Sequence, residues 1–154
     1  MNILKEGDKA PELLGFDQNG NEISLKTYNG KKVILYFYPK DNTSGCTAEA
    51  CSLRDNYIEL KKLGFEVVGI SADSQKSHQG FIAKHQLPFN LIADTDKNII
   101  KSFGAWGEKK MYGKSYEGII RSTFIISEKG IIEKVIKKVE TKDHANQILK
   151  ELSK

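Results

Sequence analysis

Val33-Ile34-Leu35-Tyr36-Phe37-Tyr38 is an unbroken run of apolar, β-branched and aromatic residues that Pro39 ends. A half-exposed strand alternates between apolar and polar positions, and this run does not, so it reads as a central strand buried on both faces. The next segment constrains the chain further. From Cys46 onward the apolar positions Cys46, Ala50, Leu53, Tyr57 and Leu60 recur at steps of four and three, marking one face of a helix that Gly64 ends. Thr43 or Ser44 can cap its start. Phe65-Glu66-Val67-Val68-Gly69-Ile70 is a second buried strand, and Ser74 caps a helix reaching His85. The resulting β-α-β-α order implies parallel pairing.

The rest of the chain adds elements at both ends. Leu13-Leu14-Gly15-Phe16 and Ile23-Ser24-Leu25 flank the turn signal Gln18-Asn19-Gly20-Asn21 and predict an N-terminal β-hairpin. Asn90-Leu91-Ile92-Ala93 reads as a short strand, and Thr95 or Asp96 opens a short helix carrying Ile99, Ile100 and Phe103. Residues 104–118 read as irregular and glycine-punctuated. Thr123-Phe124-Ile125-Ile126 and the stretch from Ile131 flank Glu128-Lys129-Gly130 and suggest an antiparallel hairpin. Ile132, Val135, Ile136 and Val139 also fit a helical stripe, but β-branched enrichment and the Lys-Gly turn favour strand. Ala145, Ile148, Leu149 and Leu152 line a last amphipathic helix, with Thr141 as its cap. The order defines an α/β, thioredoxin-like fold: a mixed central sheet flanked by helices, with an N-terminal β-hairpin extension.

The 154 residues suffice for one domain, 1–154, with its own core. A 39% hydrophobic, 29% charged composition with 3 prolines suits a globular protein. The segment Met1-Asn2-Ile3-Leu4-Lys5-Glu6-Gly7-Asp8 holds no apolar stretch long enough for a signal peptide, and nothing later approaches membrane-spanning length. A cytoplasmic location without a membrane partner is expected. The net charge of +4 comes from lysines interspersed with acids, as in Glu108-Lys109-Lys110, rather than from a basic tract. A solvated surface, not a nucleic-acid site, is the expectation. With two cysteines only, at positions 46 and 51, a secreted disulfide scaffold is implausible and a chemical role is favoured.

A cysteine where a buried strand gives way to a helix's first turn meets unpaired backbone N–H groups and the positive end of the helix dipole. Both favour thiolate over thiol, the nucleophilic form. A buried free cysteine also packs well as a small hydrophobe, and Cys46 falls on the apolar stripe. Thr43, whose hydroxyl can bond the sulfur or an attacking oxygen, and Pro39, which fixes the loop's entry, weigh toward chemistry.

Pro39-Lys40-Asp41-Asn42-Thr43-Ser44-Gly45-Cys46 matches the peroxiredoxin signature of proline, three residues, threonine, two residues and cysteine. Together with Tyr36-Phe37-Tyr38, Thr47-Ala48-Glu49-Ala50-Cys51 and Arg54-Asp55, it resembles the bacterioferritin comigratory protein, or peroxiredoxin Q, branch of that family. The resemblance runs nearly end to end, through Gly7-Asp8-Lys9-Ala10-Pro11, Gly104-Ala105-Trp106-Gly107-Glu108-Lys109 and Gly118-Ile119-Ile120-Arg121-Ser122-Thr123-Phe124-Ile125-Ile126. One departure is Ser44, where many members of the branch have proline; it bears on the rigidity of the loop and leaves the reacting residues intact.

The resemblance implies a thiol-dependent peroxidase acting on hydrogen peroxide and organic hydroperoxides. Cys46 would be the peroxidatic cysteine, Thr43 would orient the peroxide, and Arg121 would stabilise the thiolate and the leaving oxygen. Cys51 would resolve the sulfenic acid as an intramolecular disulfide, recycled by thioredoxin. It implies no bound cofactor or metal, and a monomer. Taken by itself Arg121 reads rather as an ordinary exposed charge at a strand end, and Glu49 is either its holder or a first-turn acid that suits the helix dipole.

Two rival functions differ in class. A dithiol oxidoreductase would carry Cys-x-x-Cys, which this spacing is not. A copper-binding assembly factor of the same fold would need both thiolates and a histidine in reach. His78 and His85 read as surface positions of one helix, and His144 as ordinary.

Overall fold

The computed structural model describes residues 3–153. Met1 and Asn2, which begin the segment read as lacking a leader, and Lys154, which ends the 1–154 span, lie outside them.

Strands β1 (Leu13–Phe16) and β2 (Glu22–Ser24) pair antiparallel as the expected N-terminal hairpin. Its turn closes on the Asp17 carboxylate, which accepts from the amides of Asn19 and Asn21, each at 2.9 Å. The apolar run forms β3 (Lys32–Phe37), and the elements after it are α1 (Ser44–Asp55), α2 (Tyr57–Lys62), β4 (Phe65–Ser71), α3 (Gln75–His85) and β5 (Asn90–Ala93). Then come α4 (Asn98–Ser102), β6 (Trp106–Met111), β7 (Lys114–Ile119), β8 (Ser122–Ile126), β9 (Ile132–Ile136) and α5 (His144–Leu152). Five strands make one mixed sheet in the order β5-β4-β3-β8-β9. β3, β4 and β5 run parallel, while β8 and β9 are antiparallel to their neighbours.

Burial explains why the central run has no polar break. Ile34, Tyr36 and Tyr38 point into one core with Cys46, Ala50 and Leu53 of α1, Phe81 of α3 and Ile148 of α5. Val33, Leu35 and Phe37 point the other way, against Ile100, Phe103, Phe124 and Leu14 of the hairpin. Each of the six is at most 1% exposed. Burial of one such side chain contributes about 1.5–3 kcal/mol, so a polar residue on either face would cost at least that. Gly69 of β4 makes room for Tyr36, since a Cβ there would lie 2.8 Å from its ring.

The structure corrects four details. The helix expected to run unbroken to Gly64 is divided at Asn56, whose side chain donates to Ser52 O at 2.8 Å, although Gly64, at φ +91°, does end it. Residues 104–118 are not irregular, because β6 and β7 pair as a hairpin. Its two-residue turn, Tyr112-Gly113, has φ of +53° and +78°, and a tyrosine in the left-handed region is not the asparagine or aspartate that signals such turns. Most of β7 is exposed, which removes the alternation that would have betrayed a strand. Lys97, left-handed at φ +67°, precedes α4 in place of Thr95 or Asp96. The carboxylates of Asp94 and Asp96 accept from the amides of Ile100 and Asn98. Thr141 opens a 3₁₀ turn, and Asp143, without a side-chain capping bond, is the residue at the N-cap position of α5.

Candidate active site

β3 delivers the chain to the sheet's carboxyl edge, and the segment from Tyr38 to Thr43 turns it into α1, so Cys46 lands in the helix's first turn. There the unbonded amides and the helix dipole favour an anion. Cys46 is 1% exposed. Arg121, in the two-residue link between β7 and β8, reaches across and donates from Nη2 to Cys46 Sγ at 3.2 Å. Gly45 lies beside this bond, and a Cβ there would sit 3.4 Å from Nη2, in van der Waals contact with it.

The other end of the guanidinium is held from below. Arg121 Nη1 donates to Glu49 Oε1 at 2.6 Å, and Glu49 is fully buried. Of the two readings of Glu49, the geometry selects the one in which it holds Arg121. Burial pushes the Glu49 carboxyl up to about 7, against the opposing pull of Arg121. Among the described residues Glu49 Oε2 has no hydrogen-bond partner, and it faces His144 Nε2 at 3.5 Å. Gln147 Oε1 already accepts from the Glu140 amide and Gln147 Nε2 donates to Lys138 O, which fixes that amide's orientation. His144 Nδ1 therefore donates to Gln147 Oε1 at 2.9 Å, and Nε2 accepts from the Thr123 hydroxyl at 2.7 Å. Burial holds His144 down to about 4, so this imidazole is neutral near pH 7.

Of the residues singled out in the sequence, Cys46 and Arg121 are in direct contact. Thr43, exposed, stands at the N-terminal boundary of α1, and its hydroxyl donates to Lys40 O at 2.9 Å instead of to the sulfur. Cys51 is half-buried on the same helix, and both thiols are free. Sequence reasoning missed Lys109 of β6, which donates to Ile119 O at 2.9 Å. Burial and the charge of Arg121 hold its ammonium below the usual range while Cys46 pulls the other way, which places Lys109 within electrostatic range of the thiol.

His78 is also misplaced by sequence: it is wholly buried and bonded to Asp41, not on a surface face. Among the described residues, the cluster of ligand atoms close enough to share a metal is Asp41, Asp73 and His78, and it includes neither cysteine.

A parallel β-α-β core extended by antiparallel strands, with a cysteine under a guanidinium at the first turn of the helix after the central strand, defines the thioredoxin-like thiol enzymes. Comparison with known proteins narrows this. A model of the AhpC/TSA family matches residues 6–135. A putative peroxiredoxin bcp of Haemophilus influenzae is 46% identical over 149 residues, covering 97% of this chain and 96% of its own. Peroxiredoxin Bcp of Escherichia coli is 45% identical over 149 residues, with the same coverage of 97% and 96%. Among solved structures, a cysteine-to-serine mutant of PrxQ from Xylella fastidiosa superposes with a TM-score of 0.89 at 32% identity, covering 99% of this chain and 98% of that one. The bacterioferritin comigratory protein of Xanthomonas campestris, described in connection with alkyl peroxide reduction, superposes with a TM-score of 0.85 at 34% identity and the same coverage of 99% and 98%. The chain belongs to the AhpC/TSA family, in its peroxiredoxin Bcp/Q branch, and is a thiol-dependent peroxidase.

Proposed function

We propose that this single-domain chain reduces hydrogen peroxide and organic hydroperoxides through Cys46, with Cys51 as the resolving thiol and thioredoxin or a similar dithiol as reductant. The observation that carries the reading is the 3.2 Å bond from Arg121 Nη2 to Cys46 Sγ at the first turn of α1. A guanidinium stays ionised and offers planar donors to two atoms at once, so it favours the thiolate and then the charge growing on the leaving oxygen. The Thr43 hydroxyl, its hydrogen given to Lys40 O, keeps its lone pairs for the peroxide hydrogen.

The thiolate attacks one peroxide oxygen in line, the S–O bond forms as the O–O bond breaks, and the departing oxyanion takes a proton to leave as water or alcohol. Cys46 is then a sulfenic acid. Cys51 displaces its hydroxyl as water, giving the Cys46–Cys51 disulfide, which an external dithiol reduces by exchange. Among the described residues no helix is long and apolar enough to cross a membrane. A cytoplasmic monomer with no nucleic-acid or membrane partner completes the reading.

The test is peroxide consumption with thioredoxin, thioredoxin reductase and NADPH, across hydrogen peroxide and several organic hydroperoxides. Turnover that needs both cysteines is expected. Loss of thiols only when copper is added, without peroxide consumption, would replace this reading with metal binding.

A further inference from the structure

Asp41 lies midway along the segment that joins β3 to α1, and it is 5% exposed. Its carboxylate collects three donors, one from the same segment and two from α3. Tyr38, just past β3, donates to Oδ1 at 2.6 Å, and Ser77 and His78 of α3 donate to Oδ2 at 2.8 and 2.7 Å. Its amide donates to Asp73 Oδ2 at 2.8 Å, an oxygen that also accepts from Ser71 at 2.6 Å. Burial alone would push the Asp41 carboxyl up, but the bonds from His78, Tyr38 and Ser77 outweigh it and hold it below the usual range.

His78 is fully buried, and its second nitrogen, Nε2, lies 2.9 Å from Ile92 O in β5. A carbonyl oxygen only accepts, so Nε2 carries a hydrogen. Nδ1 faces Oδ2 of the Asp41 carboxyl, which is held below its usual range and so accepts. A ring that donates from both nitrogens is an imidazolium, and this one is bonded at both ends, to a buried carboxylate and to a backbone carbonyl.

Such a pair does not repay its desolvation better than packed apolar side chains would, but it fixes geometry, because either partner left alone is a buried uncompensated charge. The geometry fixed here is that of the loop bearing the peroxide site. Next to Asp41, Asn42 is left-handed at φ +65°, a conformation asparagine adopts readily, and it turns the chain toward α1. Thr43 follows it directly and Cys46 comes four residues on. Arg121 reaches the sulfur from the other side of the site, on the link into β8, so the two halves of the site have separate anchors.

We propose that His78 and Asp41 are positioning residues, an ion-paired clamp that holds the 40–43 loop and the first turn of α1 in register with Arg121 for attack on peroxide. This rests on Cys46 being the attacking thiol. Reducing peroxide needs the clamp closed. Forming the Cys46–Cys51 bond needs the first turn of α1 released and gains nothing from it.

The experiment separates those steps by stopped-flow in Asp41→Asn and His78→Gln. Oxidation of Cys46 by hydrogen peroxide is expected to slow about 10- to 100-fold, the loss that misplacement by about 1 Å produces. Closure of the disulfide from the sulfenic acid is expected to keep its rate or rise. Oxidation within about twofold of the wild-type rate, or an equal fall in both steps, overturns the clamp. If the variants do not fold, the wild-type protein decides: ¹⁵N spectra of the His78 ring at about pH 7 should show both nitrogens protonated, and a nitrogen without hydrogen overturns the proposal. A wild-type protein whose Cys46 does not react with peroxide fails the functional reading instead, and is recognised before any variant is made.

Discussion

Oxidation to the disulfide should unwind the start of α1, and the helix's own geometry sets the size of the effect. Cys46 and Cys51 are five positions apart on a continuous helix, Ser44–Asp55. Five residues rise about 7.5 Å and turn about 140° beyond one revolution on a cylinder of about 2.3 Å radius, which separates the Cα atoms by about 8.7 Å. A disulfide needs them within about 7 Å with converging Cβ directions. The backbone between the cysteines must therefore leave the helical conformation before the bond closes. In the reduced protein that movement breaks both Arg121 bonds, to Cys46 and to Glu49. Charge-assisted bonds contribute about 1.5–3 kcal/mol each, so opening costs at least about 3 kcal/mol. At about 1.4 kcal/mol per factor of ten, amides of the segment should exchange roughly 10²-fold more slowly in the reduced protein than in the oxidised one. Amide hydrogen exchange measured in both redox states checks this. Equal protection across Ala48 to Leu53 would refute the reasoning.

Cys46→Ser should abolish turnover in the coupled assay, because a hydroxyl supplies no comparable anion near neutrality and no third thiol exists. Cys51→Ser should consume one equivalent of peroxide and stop as a sulfenic acid, or pass to sulfinic acid in excess peroxide, both visible by mass spectrometry. Arg121→Ala should slow Cys46 oxidation by about 10²- to 10³-fold in stopped-flow, and Arg121→Lys should recover only part, since one ammonium cannot hold Sγ and Glu49 together. Stability against pH should carry two opposed slopes. Glu49, raised from 4.5 to about 7, binds its proton more tightly when folded, so its share of stability falls as pH rises through that window. His144, lowered from 6.5 to about 4, binds its proton more weakly when folded, so its share rises with pH between those values. Glu49→Gln removes the first slope, and denaturant melts between about pH 4.5 and 6.5 should then show stability climbing more steeply with pH than in the wild type.

What could be read from the chain alone depends on which physical signals are local. The run from Val33 to Tyr38 announces a buried central strand because nothing else accommodates it, and the i, i+4 stripe from Cys46 announces the helix behind it. The hairpin β6–β7 is hidden because exposed strands carry no alternation and its turn uses Tyr112, a residue with no preference for positive φ. Arg121 is legible as a charge and not as a contact, since the bond to Cys46 spans 75 positions and depends on how β8 pairs with β3. His78 fails for a related reason. A histidine between Ser77 and Gln79 on a polar helix reads as exposed, and only the fold reveals that Asp41 has been brought beneath it. Buried ion pairs leave no periodic trace, because each partner is a single polar residue whose companion is remote in sequence.

The placement of Glu49 shows how the site balances its charges. On the proposed mechanism two anions, the Cys46 thiolate and the Glu49 carboxylate, flank the one guanidinium that bonds both. A fully ionised Glu49 would hold Arg121 firmly and would also neutralise much of its charge. Several features keep that from happening. The carboxyl is buried, its Oε2 lacks a donor among the described residues, and the nitrogen facing it at 3.5 Å presents a lone pair already engaged with Thr123. Each of these disfavours the carboxylate, and together they bring its titration up to about 7. Burial thus moves the Glu49 titration toward neutrality, and Oε1 accepts from Nη1 in either state. Arg121 keeps its orientation from the bond and its positive charge for the sulfur. A surface carboxylate in the same place would supply the first and cancel the second.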